Sequence, residues 1–152
     1  MKTKLISVIL SMLWILAACR SATSLPPVTA TLNNEFTLGT GQSVSVKKTD
    51  LTITFNAVLS DERCPREIEC AASGPVTVSL SVQQDGDVPA TFSLQTFTDQ
   101  EGRAPSGSFE TIEDRVEIGD YLIQVVGVLP YPQNLSGIKP SDYQATFMVI
   151  QK

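Results

Sequence analysis

The chain has 152 residues, 42% apolar and 18% charged, with eleven basic against sixteen acidic side chains. This is the size and composition of one globular domain, and it excludes a disordered polymer. Histidine is absent, which removes Ser-His and Cys-His nucleophile pairs and the commonest metal ligand.

The first predicted element is a leader. Lys2 and Lys4 precede an apolar stretch from Leu5 to Ala18, too short to span a bilayer core of about 30 Å but suited to an export signal. It ends in Leu16-Ala17-Ala18-Cys19, which resembles the lipobox of bacterial lipoproteins. The resemblance implies cleavage before Cys19, lipidation of its thiol and a membrane anchor built on buried methylenes; the alternative is an ordinary signal peptide with an incidental cysteine. Arg20 follows instead of the aspartate that marks inner-membrane retention in that family. The implied location is therefore the cell envelope, on the outer face of the cytoplasmic membrane or in the outer membrane.

Losing residues 1–18 leaves nine basic against sixteen acidic residues, net −7, and removes Trp14, the single tryptophan. An acidic surface argues against nucleic acid, which needs basic patches to displace counterions. The missing indole argues against a stacking platform for carbohydrate. Residues 19–34, rich in Ser, Thr and Ala with Pro26-Pro27, read as a tether, with a first strand around Val28 to Leu32 as the alternative.

From residue 35 to 152 the pattern is strand, turn, strand. Phe36–Leu38 and Val44–Val46 are short candidates. Leu51, Ile53, Phe55 and Ala57 alternate with Thr52, Thr54 and Asn56, and Val76, Val78, Leu80 and Val82 alternate with Thr77, Ser79 and Ser81, the period of a half-buried strand. Ala90–Thr96 and Arg115–Ile118 follow. Tyr121 to Leu129 is apolar on both faces, as in a central strand, and Tyr143 to Val149 alternates again. Gly39-Thr40-Gly41, Asp85-Gly86-Asp87 and Gly102 to Gly107 supply the turns. The expectation is an all-β, immunoglobulin-like β-sandwich of about seven to eight strands, with a small β-barrel as alternative. Glu117-x-Gly119-x-Tyr121 resembles a tyrosine corner, which ties a loop between sheets.

Cys64 and Cys70 enclose five residues between two strands. With Cys19 lipidated they form an even pair in an oxidising compartment, which predicts a disulfide. A redox dithiol would prefer two intervening residues, and zinc would need more ligands. Asp61-Glu62-Arg63-Cys64-Pro65, then Cys70 and Gly74, resembles a signature of bacterial secreted proteins and lipoproteins that carry Asp-Ser-Arg-Cys-Pro and often Cys-x-Trp-Ala-Gly. The likeness continues in Leu129-Pro130-Tyr131-Pro132 and Asp142-Tyr143, so it spans Leu51 to Val149. The chain departs at Glu62 and at Ala72-Ser73, where Trp-Ala is usual. That family carries no assigned activity, so the resemblance implies fold and location only.

Three features compete as sites. Arg63 and Arg66, with Tyr131 farther on, read as a recognition loop for an envelope protein partner, against a loop whose charges pair locally. Asp99, Glu101, Glu110, Glu113 and Asp114 offer oxygen ligands for Ca²⁺ but lack the spacing of an EF-hand, so surface charge is the preferred reading. Sixteen acids allow carboxylate pairs for glycoside hydrolysis, yet none stands out, and no Gly-x-Ser-x-Gly elbow or phosphate loop occurs. The reading is therefore a lipid-anchored, non-enzymatic structural or protein-binding module without metal or cofactor, with a small-ligand or Ca²⁺ module as alternative.

Overall fold

A computed structural model describes residues 28–106 and 111–152; the leader, Cys19, the first part of the tether and Glu110 lie outside them. Nine strands form two sheets. They are β1 (Val28–Thr31), β2 (Glu35–Gly39), β3 (Ser43–Lys47), β4 (Leu51–Asp61), β5 (Val76–Gln84), β6 (Ala90–Thr96), β7 (Arg115–Ile118), β8 (Tyr121–Leu129) and β9 (Gln144–Gln151). One sheet has the order β1-β3-β4-β5-β6, the other β2-β9-β8-β7. They pack as a β-sandwich and do not close into a barrel. Most neighbours are hairpin partners, so the chain runs as two meanders; pairing between strands distant in sequence, the mark of an immunoglobulin Greek key, is confined to β1 with β3 and β2 with β9.

Alternation does what period two requires. Leu51, Ile53 and Phe55 of β4 and Val76, Val78 and Leu80 of β5 are buried, facing Leu38, Ile123, Val125, Ala145, Phe147 and Val149 of the second sheet. Phe147 links the layers, with ring centroids 6.0 Å from Phe55 and 6.1 Å from Phe36. Each large side chain so buried contributes about 1.5–3 kcal/mol. On the outer face of the first sheet the alternate positions carry hydroxyls that bond across strands: Ser43 to Thr54, Ser60 to Thr77 and Ser81 to Thr91.

Two expectations are corrected. The sandwich includes residues before 35: Val28–Thr31 is a strand that pairs in parallel with β3, and Ala30 is buried. The alternative reading of a first strand around Val28 to Leu32 is the one the structure bears out; with little alternation of its own, the segment owes its burial to the sheet it joins. Tyr121 is not a corner between sheets. Gly119, at φ +54°, and Asp120 form the two-residue turn of the β7–β8 hairpin, with Ile118 paired to Tyr121 in one sheet. The tyrosine that does cross between sheets is Tyr143.

Candidate functional site

β4 ends at Asp61, and in an extended chain residues two apart point to the same side. Asp61 and Arg63 therefore meet. Arg63 Nε donates to Asp61 Oδ1 at 2.7 Å and Nη2 to Oδ2 at 2.6 Å, a bidentate pair. Nη2 also donates to the Pro130 carbonyl at 3.0 Å, and Nη1 donates to the Val128 carbonyl at 2.8 Å and to Thr98 Oγ1 at 3.3 Å. All five guanidinium donors are used, and the side chain is 0% exposed. The Asp61 carboxylate is equally full: the Arg63 backbone N–H adds to Oδ1, and the Tyr143 hydroxyl donates to Oδ2 at 3.0 Å. One ion pair thus joins the ends of β4 and β8 to the start of β9.

Burial, and then the Asp61 charge, push the Tyr143 hydroxyl up to about 12. The neutral phenol is the form that donates to the carboxylate, so the network is complete across the neutral range.

Tyr131 lies beneath this network, buried, with Arg63 at 5.0 Å and Arg66 at 5.7 Å from its ring centroid. Arg66 is exposed but not loose, since its Nη2 donates to the Gln100 carbonyl. Of the readings the sequence offered, a recognition loop or charges that pair locally with Tyr131 packed in the loop, Arg63 and Tyr131 follow the second. The structure brings the three together, but Arg63 and Tyr131 face inward and only Arg66 is open to solvent.

The cysteine loop is stapled by a Cys64–Cys70 disulfide with Cα atoms 6.0 Å apart. A turn at Arg66-Glu67 ties it to the segment after β8: Arg66 N–H donates to Pro132 O and Glu67 N–H to Gln133 O. At its base Glu62 and Gly74 pair, with Gly74 N–H donating to Glu62 O at 2.9 Å. A Cβ on Gly74 would stand 2.6 Å from that of Glu62, so the close approach requires glycine. Ser73, one of the departures from the resembled signature, accepts the Cys64 N–H at 3.0 Å.

Between this loop and the segment after β8 runs a groove of about 320 Å³. Cys64, Pro65, Cys70 and Ala72 form one wall, Pro132, Leu135 and Ile138 the other, and Asp61, Arg63 and Tyr143 the floor. Leu135 is 80% exposed. No two carboxylates face one another there: Asp61 is occupied, and Glu62 points to solvent.

The acidic run resolves into separate structural parts. Asp114 is buried, takes Arg115 Nε at 2.6 Å and Gln124 Nε2 at 3.0 Å, and raises the basicity of Arg115. Asp99 accepts the Arg103 N–H in a turn, and the Glu113 carbonyl accepts the Gln95 N–H. Among the described residues no three His, Cys, Asp or Glu side chains converge to hold a metal ion. Sequence reasoning did not find the Asp61–Arg63–Tyr143 network; the Asp-x-Arg spacing at a strand end was its one local signal. Comparison with family models, curated proteins and solved structures finds no match to this chain.

Proposed function

We propose that the chain is a lipid-anchored protein of the bacterial cell envelope that binds a protein partner at its cysteine-loop end. The anchor rests on the Leu16-Ala17-Ala18-Cys19 sequence. The observation that carries the binding reading is the groove. Its walls are mostly apolar, with Glu62 and Asn134 as the polar exceptions; it is rigid because a disulfide and a saturated ion pair frame it, and it is edged by the exposed Leu135. Exposed apolar side chains beside a preorganised cleft are the usual raw material of a protein contact. Ala72 lines the groove where the resembled signature carries tryptophan. A small residue at that position leaves open the space an indole would take.

A small-ligand reading has one observation in its favour, since the volume matches the lower range of ligand pockets. Beyond the saturated floor the polar lining is Glu62 and Asn134, whose Oδ1 already accepts the Ser136 N–H, and this sparse polar set favours protein.

Anchor and groove are tested separately. Cys19→Ser should release the chain from the membrane fraction; a variant still membrane-bound and acylated refutes the anchor. A photo-crosslinking residue placed at Leu135 in intact cells should yield a discrete adduct that is lost on Ala72→Trp. The same adduct from a crosslinker at Val88, or its survival in Ala72→Trp, refutes the groove.

A further inference from the structure

The outward positions of the first sheet form a face of one chemistry. Alternation turns Val44, Ile53, Leu80 and Val82 into the core and leaves their neighbours outside. The register aligns Thr29, Ser45, Thr52 and Gln83 in one row across four strands, and Ser43, Thr54, Ser81 and Thr91 in the next. Neighbouring strands lie about 4.8 Å apart and successive rows about 6.7 Å apart. Toward the β4 bulges the face continues in Asn56, Ser79 and Ser93. Lys47, at the margin, is the one charge among these outward positions, in a chain with 16 acidic and 11 basic residues.

Cross-strand bonds hold these side chains in place. Ser43 bonds Thr54 at 2.8 Å and Ser81 bonds Thr91 at 3.1 Å, while Asn56 Nδ2 donates to Ser79 at 3.2 Å and to Ser81 at 3.0 Å. A hydroxyl carries one donor and two lone pairs, so each hydroxyl pair keeps a donor and lone pairs for an outside partner. Over β3 the face dips into a shallow slot of about 380 Å³, lined by Thr29, Ser43, Ser45, Lys47 and Thr52, with Val28 and Val44 at its base. Interspersed charges normally keep exposed sheets soluble and apart. A flat face without them is fitted to a contact.

We propose that this face binds an uncharged, extended polysaccharide. Charge selects the occupant. A nucleic acid or other polyanion needs several cations, and the face has one lysine. A bilayer surface needs apolar side chains to bury or a basic cluster. Protein interfaces concentrate aromatic residues, Met and Arg, and their anchors are seldom Ser or Thr. A neutral sugar polymer offers what Ser, Thr, Asn and Gln offer: groups that both donate and accept, with no charge to desolvate. Aromatic platforms take the C–H face of a sugar ring, whereas hydroxyls and amides take its edge, and these rows carry no aromatic side chain. A β-linked glycan is a flat ribbon with hydroxyls along both edges, so it lies edge-on along the slot. Side chains already fixed by their neighbours lose little freedom on binding, which lets many weak contacts add up.

Retardation in native gels tests the face directly. The full-length chain, carried in a polyoxyethylene detergent that contains no sugar, should be slowed relative to a reference protein in gels cast with hydroxyethyl cellulose or glycol chitin. Dextran, whose α-linked chain coils, should slow it several-fold less. The dissociation constant, read from retardation against polymer concentration, should rise several-fold in Ser43→Ala/Ser45→Ala with the melt unchanged. Thr54→Glu/Ser81→Glu should abolish binding, and Val88→Glu, a charge added off the face, should leave it intact. No retardation by either ribbon polymer overturns the proposal, as does equal retardation by dextran or an unchanged constant in either face variant that folds. A mass that doubles with concentration through this face, without retardation, would make a second copy the occupant and overturns it equally.

Discussion

The two ends of the sandwich are built on different economies. At one end the turns are tight: Lys48, Asp85 and Gly86 take positive φ, Gly119-Asp120 turns β7 into β8, and side chains such as Thr49 and Gln83 bond backbone carbonyls within three or four residues. Asp50 and Asp85 face each other there across two turns; their hydrogen bond lowers the pKa of Asp50 and raises that of Asp85. At the other end three long connections meet, and Arg63 alone spends five hydrogen bonds to close them. Tight turns satisfy their own backbones, whereas long connections must be given partners, and the side chains that supply them leave a shaped groove behind. The candidate site therefore sits where closure was hardest.

That contrast can be broken in graded steps. Arg63→Leu should be the most destructive, about 3–5 kcal/mol, because Asp61 and the Val128 and Pro130 carbonyls lose their donors. Arg63→Lys should rescue little, since an ammonium cannot reproduce the fork. Denaturant midpoints measure both, and a Lys variant near wild-type stability would refute the geometric account. Next comes Cys64→Ser/Cys70→Ser. Opening a loop of about seven residues should cost roughly 2–3 kcal/mol by the chain-entropy relation, with the Arg63 network still in place. A loss as large as that of Arg63→Leu would mean the staple, not the ion pair, closes this end.

Alkali should act more gently. The folded Tyr143 hydroxyl titrates near 12, above its ordinary value of 10. Its contribution is complete below pH 10 and is lost as pH rises from 10 through 12, no more than about 2 kcal/mol. Thermal melts across that window should fall less steeply for Tyr143→Phe than for wild type; equal slopes would remove Tyr143 from the account. The smallest effect belongs to the tight-turn end. Asp85→Asn, at a φ of 52° that asparagine tolerates, should leave the melting temperature at pH 7 unchanged or slightly higher by relieving the repulsion with Asp50. A clear loss would show that the two ends are less different than drawn here.

What the sequence made legible follows the same division. β5, β6, β7 and β8 fall where alternation and apolar runs placed them, because burial of one face leaves a period-two trace. The disulfide, too, was readable, from the pairing of Cys64 with Cys70 once Cys19 is set aside. Arg63 was not: in Asp61-Glu62-Arg63-Cys64-Pro65-Arg66 its charge looks like that of Arg66, and only the fold decides which of the two is buried. Its acceptors, Val128 and Pro130, lie 65 and 67 positions away, and no local pattern announces a carbonyl waiting there. Tyr121 and Tyr143 divide likewise. The first sits in a motif and ties nothing between sheets; the second, without one, does.

The reach of Arg63 also has a meaning in time. Contacts over 65 or more positions form only after the intervening loop has been closed, an entropic debt that slows folding. Until β8 is in place the guanidinium has its own Asp61 but lacks its carbonyls, so the groove end takes its shape only after β8 has docked. Interactions made that late weigh on the rate of unfolding more than on the rate of folding. The ion pair then acts as a latch: slow to set, and slower to release.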